Sequence, residues 1–197
     1  MIKRIFDLIV SFLGLLVLSP LFIILAITIK MSDHGPVLHK GKRVGRHGKP
    51  FAMFKFRSMV VNADKIGGPW TPGDDPRLTA IGKRLRRFKL DELPQLVNVL
   101  LGDMSIVGPR PEVPYYIDKM TAEERACILS VMPGITDFAS IWNSCEEEIL
   151  RGAADPDQVY QEKIWPEKKR LQIKYVNEQS FLTDLKIIWK TFLKLLR

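Results

Sequence analysis

From Leu8 to Ile29 the chain reads "LIVSFLGLLVLSPLFIILAITI", with no charged residue. As a helix this run would be about 33 Å long, against a hydrocarbon core of about 30 Å. Its length exceeds the apolar core of a secretory signal, and no A-x-A site follows it. Two features oppose a simple crossing. Pro20 cannot donate to the Leu16 carbonyl, which favours a break, and Ser19 beside it could satisfy that carbonyl. Each half would then be roughly 14 to 17 Å long, too short to span alone. Lys3 and Arg4 precede the run, and Lys30, Lys40, Lys42, Arg43, Arg46 and Lys49 follow it. Positive charge at both ends places both on the cytoplasmic side. A helix–break–helix that enters and leaves one leaflet meets these demands; a kinked single-pass helix is the alternative.

The remaining residues have the length and apolar content for one globular domain. The net charge of +8 points to an anionic partner: nucleic acid, an anionic membrane surface or a phosphorylated substrate. No nucleic-acid-binding motif accompanies it. Cys127 and Cys145 lack metal spacing and read as reduced thiols of a cytosol-facing protein.

Residues 35–58 read as short strands or extended loop. In "MFKFRSM" the alternation puts Lys55 and Arg57 on one face and Phe54 and Phe56 on the other. Residues 62–77, with "GGPWTPGDDP", form a loop by turn chemistry. A helix starts near Thr79, with Ile81, Leu85 and Phe88 on one face. Pro94 either kinks it or opens a new helix running to Leu101. Leu93, Leu96, Val97, Leu100 and Leu101 make that helix's apolar stripe, with Gln95 and Asn98 on its polar side. "GDMSIVGPRPEVP" reads as a rigid loop, and helices follow around 121–131 and 158–178. The terminal "FLTDLKIIWKTFLKLLR" gathers Phe181, Leu185, Ile188, Trp189, Phe192 and Leu196 on one face. Lys186, Lys190, Lys194 and Arg197 lie on the other. That pattern suits either a membrane-interface helix or a core-packing one.

Asp91 and Glu92 stand between the cations Lys83, Arg84, Arg86, Arg87 and Lys89 and the apolar ladder. They sit at the positive end of the Pro94 helix, which favours ionised carboxylates and attracts phosphate. Ionised acids among cations can bind Mg²⁺, and one of them can attack phosphorus. An acidic dipeptide at a helix start is also a common cap. In "GPRP", Pro109 and Pro111 stiffen the backbone around Arg110, a residue suited to gripping phosphate through paired donors.

"KFRSM", "RLTAIGKRLRRFKLDELPQLVNVLLGDMSIVGPRPE" and "PGIT" at 133–136, after an apolar segment broken at Ser-Pro, resemble the small monotopic phosphoglycosyl transferases, a family of bacterial sugar transferases. The similarity covers most of residues 1–136. The resemblance implies transfer of a sugar 1-phosphate from a UDP-sugar to a polyprenol phosphate, usually undecaprenyl phosphate, with release of UMP. Such a reaction is the first membrane step of glycoconjugate assembly. It also implies a mainly α fold with short β elements: a re-entrant membrane helix over 1–33, and a cytoplasmic catalytic domain over 34–197 ending in an interfacial helix. The expected location is the bacterial inner membrane, facing the cytoplasm. Larger relatives carry a further domain ahead of this unit, and here the catalytic unit alone is expected.

By position, Asp91 resembles the nucleophile and Mg²⁺-binding carboxylate, Glu92 its dyad partner, and Ser19-Pro20 the helix break. Pro109, Arg110 and Pro111 resemble a nucleotide-binding segment; Lys55, Arg57 and Arg87 join them as candidate substrate-binding residues. Residues 137–178 match no functional pattern. Glu92 is commonly cast as a base, yet a phosphate monoester is already roughly 90% dianion at pH 7. Glu92 is therefore expected to position the acceptor or a metal-bound water. A membrane-anchored basic scaffold without catalysis is the competing reading, and the sequence leaves open whether the chain forms a homodimer.

Overall fold

The computed structural model describes residues 2–66, 75–143 and 149–195, without the side chain at position 64. Cys145, most of the "GGPWTPGDDP" turn, Leu196 and Arg197 lie outside the described residues. Helix α1 (Ile2–Asp33) runs without interruption through Pro20. Ser19 Oγ donates to Leu16 O at 2.8 Å, supplying the bond that the proline nitrogen cannot. The two separate half-helices expected at Ser19-Pro20 are not seen: this substitute bond carries the helix across. By length and composition α1 could cross a membrane.

One side of α1 is docked along its whole length. Near its start, Arg4 donates to Val99 O and Leu100 O, and Asp7 accepts from Ser105 Oγ at 2.8 Å and Ile106 N at 3.0 Å. Near its end, Leu25 and Ile29 pack with Phe56 and Leu85, and Asp33 holds the Arg57 guanidinium. The opposite side leaves Phe12, Leu16, Val17, Ile23, Ile24 and Ile27 exposed.

Strands β1 (Leu38–Val44) and β2 (Pro50–Phe56) form an antiparallel hairpin, with His39 opposite Lys55 and Arg43 opposite Phe51. Helix α2 (Ala80–Arg87) starts at a Thr79 cap that accepts from Gly82 N. It stops at Phe88, and Lys89 in the left-handed region turns the chain into a 3₁₀ turn over Leu90–Glu92. Phe88 therefore leaves the face of Ile81 and Leu85 and is exposed.

Helix α3 (Gln95–Leu101) begins after Pro94 and ends at Gly102. Leu93 and Leu96 of the expected apolar stripe pack against core clusters, but Gln95 and Asn98 of the polar side are 0% exposed and Leu101 is 66% exposed. Asn98 is drawn inward by β2, since its amide bonds Phe54 N at 2.9 Å and Ala52 O at 2.8 Å there. The leucine side meets α1, with Leu96 against Gly14.

"GDMSIVGPRP" is not wholly loop. Its Ser105–Val107 is strand β3, paired in parallel with β4 (Gly134–Thr136) of "PGIT". Gly108 N donates to Thr136 O and Gly134 N to Pro109 O, each at 3.0 Å. A Cβ on Gly134 would lie 2.0 Å from Gly108 N, so the two motifs fit only as a glycine pair.

Short helices α4 (Pro114–Asp118) and α5 (Ala122–Ile128) follow, and α6 (Phe138–Trp142) packs against β4. Helix α7 (Pro156–Val159) continues through a π-helical stretch at Tyr160–Ile164 into α8 (Trp165–Glu178). Helix α9 (Phe181–Leu195) packs one side on the core and leaves an apolar side exposed. Asp184 and Ile187 face the core, while Phe181, Leu185, Trp189 and Phe192 are exposed. Phe6 and Phe181 meet edge to face, joining α1 and α9.

Candidate active site

The sharp turn between α2 and α3 places Asp91 and Glu92 over β2. Asp91 is 3% exposed, and among the described residues none donates a hydrogen bond to its carboxylate. Burial pushes the Asp91 carboxyl above its ordinary value, Glu92 adds to the rise, and Lys55, Arg86 and Lys89 oppose it. Loss of water thus works against the pull of the helix end and the nearby cations toward the ionised form.

Glu92 lies in a different environment one residue on. It accepts from Arg110 Nη1 at 3.0 Å, from Arg110 Nη2, and from Lys55 Nζ at 2.8 Å. Burial alone would raise its carboxyl; Arg110 and then Lys55 outweigh this and hold it well below the carboxylate range. Two adjacent carboxyls are therefore driven in opposite directions, the arrangement that lets like groups take different roles.

The structure brings Lys55 and Arg110 together at Glu92 and does not bring Arg57 or Arg87 there. Arg57 is committed to Asp33 and to Pro36 O, tying the end of α1 to the segment after β2. Arg87 is exposed on α2, over the Phe88 ring. Arg86 and Lys89 act on Asp91 in its place. Arg43 was missed. Its pKa is lowered by burial, and Glu112, Arg110 and Glu92 act on it. The signal was present in the alternation of β1: His39, Gly41 and Arg43 share the hairpin face of Lys55.

Pro109 O and the Arg110 peptide are both held by neighbouring backbone and side chains, as the two prolines imply. Among the described residues, no group of three or more His, Cys, Asp or Glu assembles. Mg²⁺ seldom needs one: it takes one or two carboxylates, water and substrate phosphates. A carboxylate without a protein donor, as at Asp91, fits that donor set.

A family model described as "Bacterial sugar transferase" matches residues 1–197. The chain belongs to the bacterial sugar transferase family. It is 37% identical to the UDP-glucose:undecaprenyl-phosphate glucose-1-phosphate transferase of Escherichia coli (strain K12), over 98% of this chain and 40% of that protein. It is 34% identical to the UDP-N-acetylgalactosamine-undecaprenyl-phosphate N-acetylgalactosaminephosphotransferase of Aeromonas hydrophila, over 96% of this chain and 42% of the relative. The uncharacterized sugar transferase EpsL of Bacillus subtilis (strain 168) is 37% identical over 99% of this chain and 87% of its own length. The chain thus spans less than half of the first two relatives. Within a bacterial sugar transferase, the Asp91–Glu92 pair and the Arg110 loop are the candidate chemical centre.

Proposed function

We propose that this chain transfers a sugar 1-phosphate from a UDP-sugar to undecaprenyl phosphate, releasing UMP, with Asp91 as the nucleophile. The observation that carries this reading is the Asp91 carboxylate, buried with no donor among the described residues beside the Arg110–Glu92–Lys55 ion cluster. Its chemistry accords with the names of the relatives, which act on UDP-glucose and UDP-N-acetylgalactosamine.

In the first half-reaction an Asp91 oxygen attacks the β-phosphorus, the P–O bond to UMP breaks, and an aspartyl phospho-sugar forms. A carboxylate stripped of hydrogen bonds is well suited to that attack. Arg110 and Lys55, which now bind Glu92, are the cations placed to take the diphosphate charge. In the second half-reaction a lipid phosphate oxygen attacks the same phosphorus and frees Asp91. Asp91 would hold Mg²⁺ together with the diphosphate; when bound, the ion supplies further charge neutralisation. Glu92 holds and orients the two cations.

The membrane reading follows from α1. A crossing helix touches a domain on one side at one end only, whereas α1 is bound by the same body at Lys3–Asp7 and at Ile29–Asp33. This supports a monotopic seat, with the exposed apolar sides of α1 and α9 in one leaflet of the inner membrane and the dyad at its cytoplasmic boundary. The test is UMP release from a panel of UDP-sugars with undecaprenyl phosphate. At least one sugar should give turnover that Asp91→Asn abolishes, and turnover that survives Asp91→Asn would overturn the assignment.

A further inference from the structure

The segment that matched no functional pattern supplies a support for the arginine. Helix α8 sets Lys168, Gln172 and Tyr175 on one face, at the spacing of successive turns. These three side chains meet three positions of the run that carries Arg110. Tyr175 Oη donates to Val107 O at 3.2 Å, Gln172 Nε2 donates to Arg110 O at 3.1 Å, and Lys168 pairs with Glu112 at 2.8 Å. On the other side of the residue, Asp137 Oδ2 accepts from Arg110 N at 3.4 Å while its Oδ1 caps α6 through Ser140. Gln172 and Asp137 are both 0% exposed.

The Gln172 amide is a poor choice for packing alone. Its Oε1 is buried without a donor among the described residues, and an apolar chain of the same shape would carry no such cost. Its N–H contact falls on the peptide of Arg110, whose guanidinium binds Glu92 of the dyad. We propose that Gln172 is a positioning residue: it fixes the Arg110 peptide so that the guanidinium is delivered to the diphosphate site. This inference rests on the transferase reading above.

A double-mutant cycle on the full chain tests it, with UDP-sugar and undecaprenyl phosphate varied separately. Gln172→Met keeps the volume and removes the donor. It should raise the UDP-sugar KM about fivefold, the effect of one lost hydrogen bond, and leave the undecaprenyl phosphate KM within about twofold. Gln172→His retains an N–H donor and should restore most of the affinity. In an Arg110→Ala background, Gln172→Met should add less than about a twofold change, because its effect passes through the missing side chain. Equal effects in the two backgrounds, or an unchanged UDP-sugar KM, would overturn the proposal. Should Gln172→Met fail to fold, Gln172→Glu, which turns an acceptor toward the carbonyl, gives the same reading. A wild-type chain that releases no UMP from any UDP-sugar defeats the transferase reading itself. An active wild type with a null cycle defeats only the role of Gln172.

Discussion

Glu92 accepts from two cations, and its carboxyl stays ionised well below the ordinary glutamate range. The sign is clear: a depressed carboxyl takes up a proton only in acid, so its charge is constant across neutral pH. Glu92→Gln should therefore slow turnover by a similar factor, about 10²-fold, at every pH from about 6 to 8.5. A mutant rate that recovers toward wild type at the alkaline end would instead identify Glu92 as a base. The dyad and Arg110 were legible in the sequence because adjacent carboxylates and a proline-flanked arginine are unusual local patterns. The placement of Arg57 away from Glu92 was not legible, because alternation gives a face and not a partner: Asp33 is 24 positions away in sequence. Asp137 and Gln172 were illegible for a similar reason, since each acts through a long-range backbone contact.

At the level of elements, the joints are glycines and ion pairs. Gly134→Ala would drive a Cβ into Gly108 N, just past the end of the facing strand, where backbone offers no room to give. Thermal or denaturant unfolding should show a loss of about 3 kcal/mol or more, the upper range for overpacking. Asp33 is lowered to about 2, first by its hydrogen bond with Arg57. A lowered carboxyl gives stability above its unfolded value and loses it as pH falls through the folded one. The stability difference between wild type and Asp33→Asn should thus shrink as pH drops from about 4 to about 2. A constant difference would show that the charge of Asp33 is not what ties α1 to Arg57. Helix limits were largely readable from caps such as Thr79 and Thr121. The orientation of α3 was not, because its leucines face α1 and its amides serve β2.

For the molecule as a whole, the docking of α1 at both ends is what supports the proposed monotopic seat. Single cysteines at Ile2→Cys and His34→Cys, in a Cys127→Ser, Cys145→Ser background, should both be labelled from the cytoplasmic face in oriented membrane vesicles. Labelling from opposite faces would restore the single-pass alternative. The apolar run was the plainest feature of the sequence, but its path depended on Lys3, Arg4 and Asp7, whose partners lie about a hundred residues or more away. Helix α3 links the proposed chemical centre to α1, with its amides turned toward β2 and Leu96 toward α1. Incubating the protein with a labelled UDP-sugar in the absence of lipid acceptor, then mapping the label by mass spectrometry, tests the central claim. A sugar phosphate on Asp91, lost on adding undecaprenyl phosphate and absent in Asp91→Asn, is the expected result. An active enzyme that carries no adduct would contradict it.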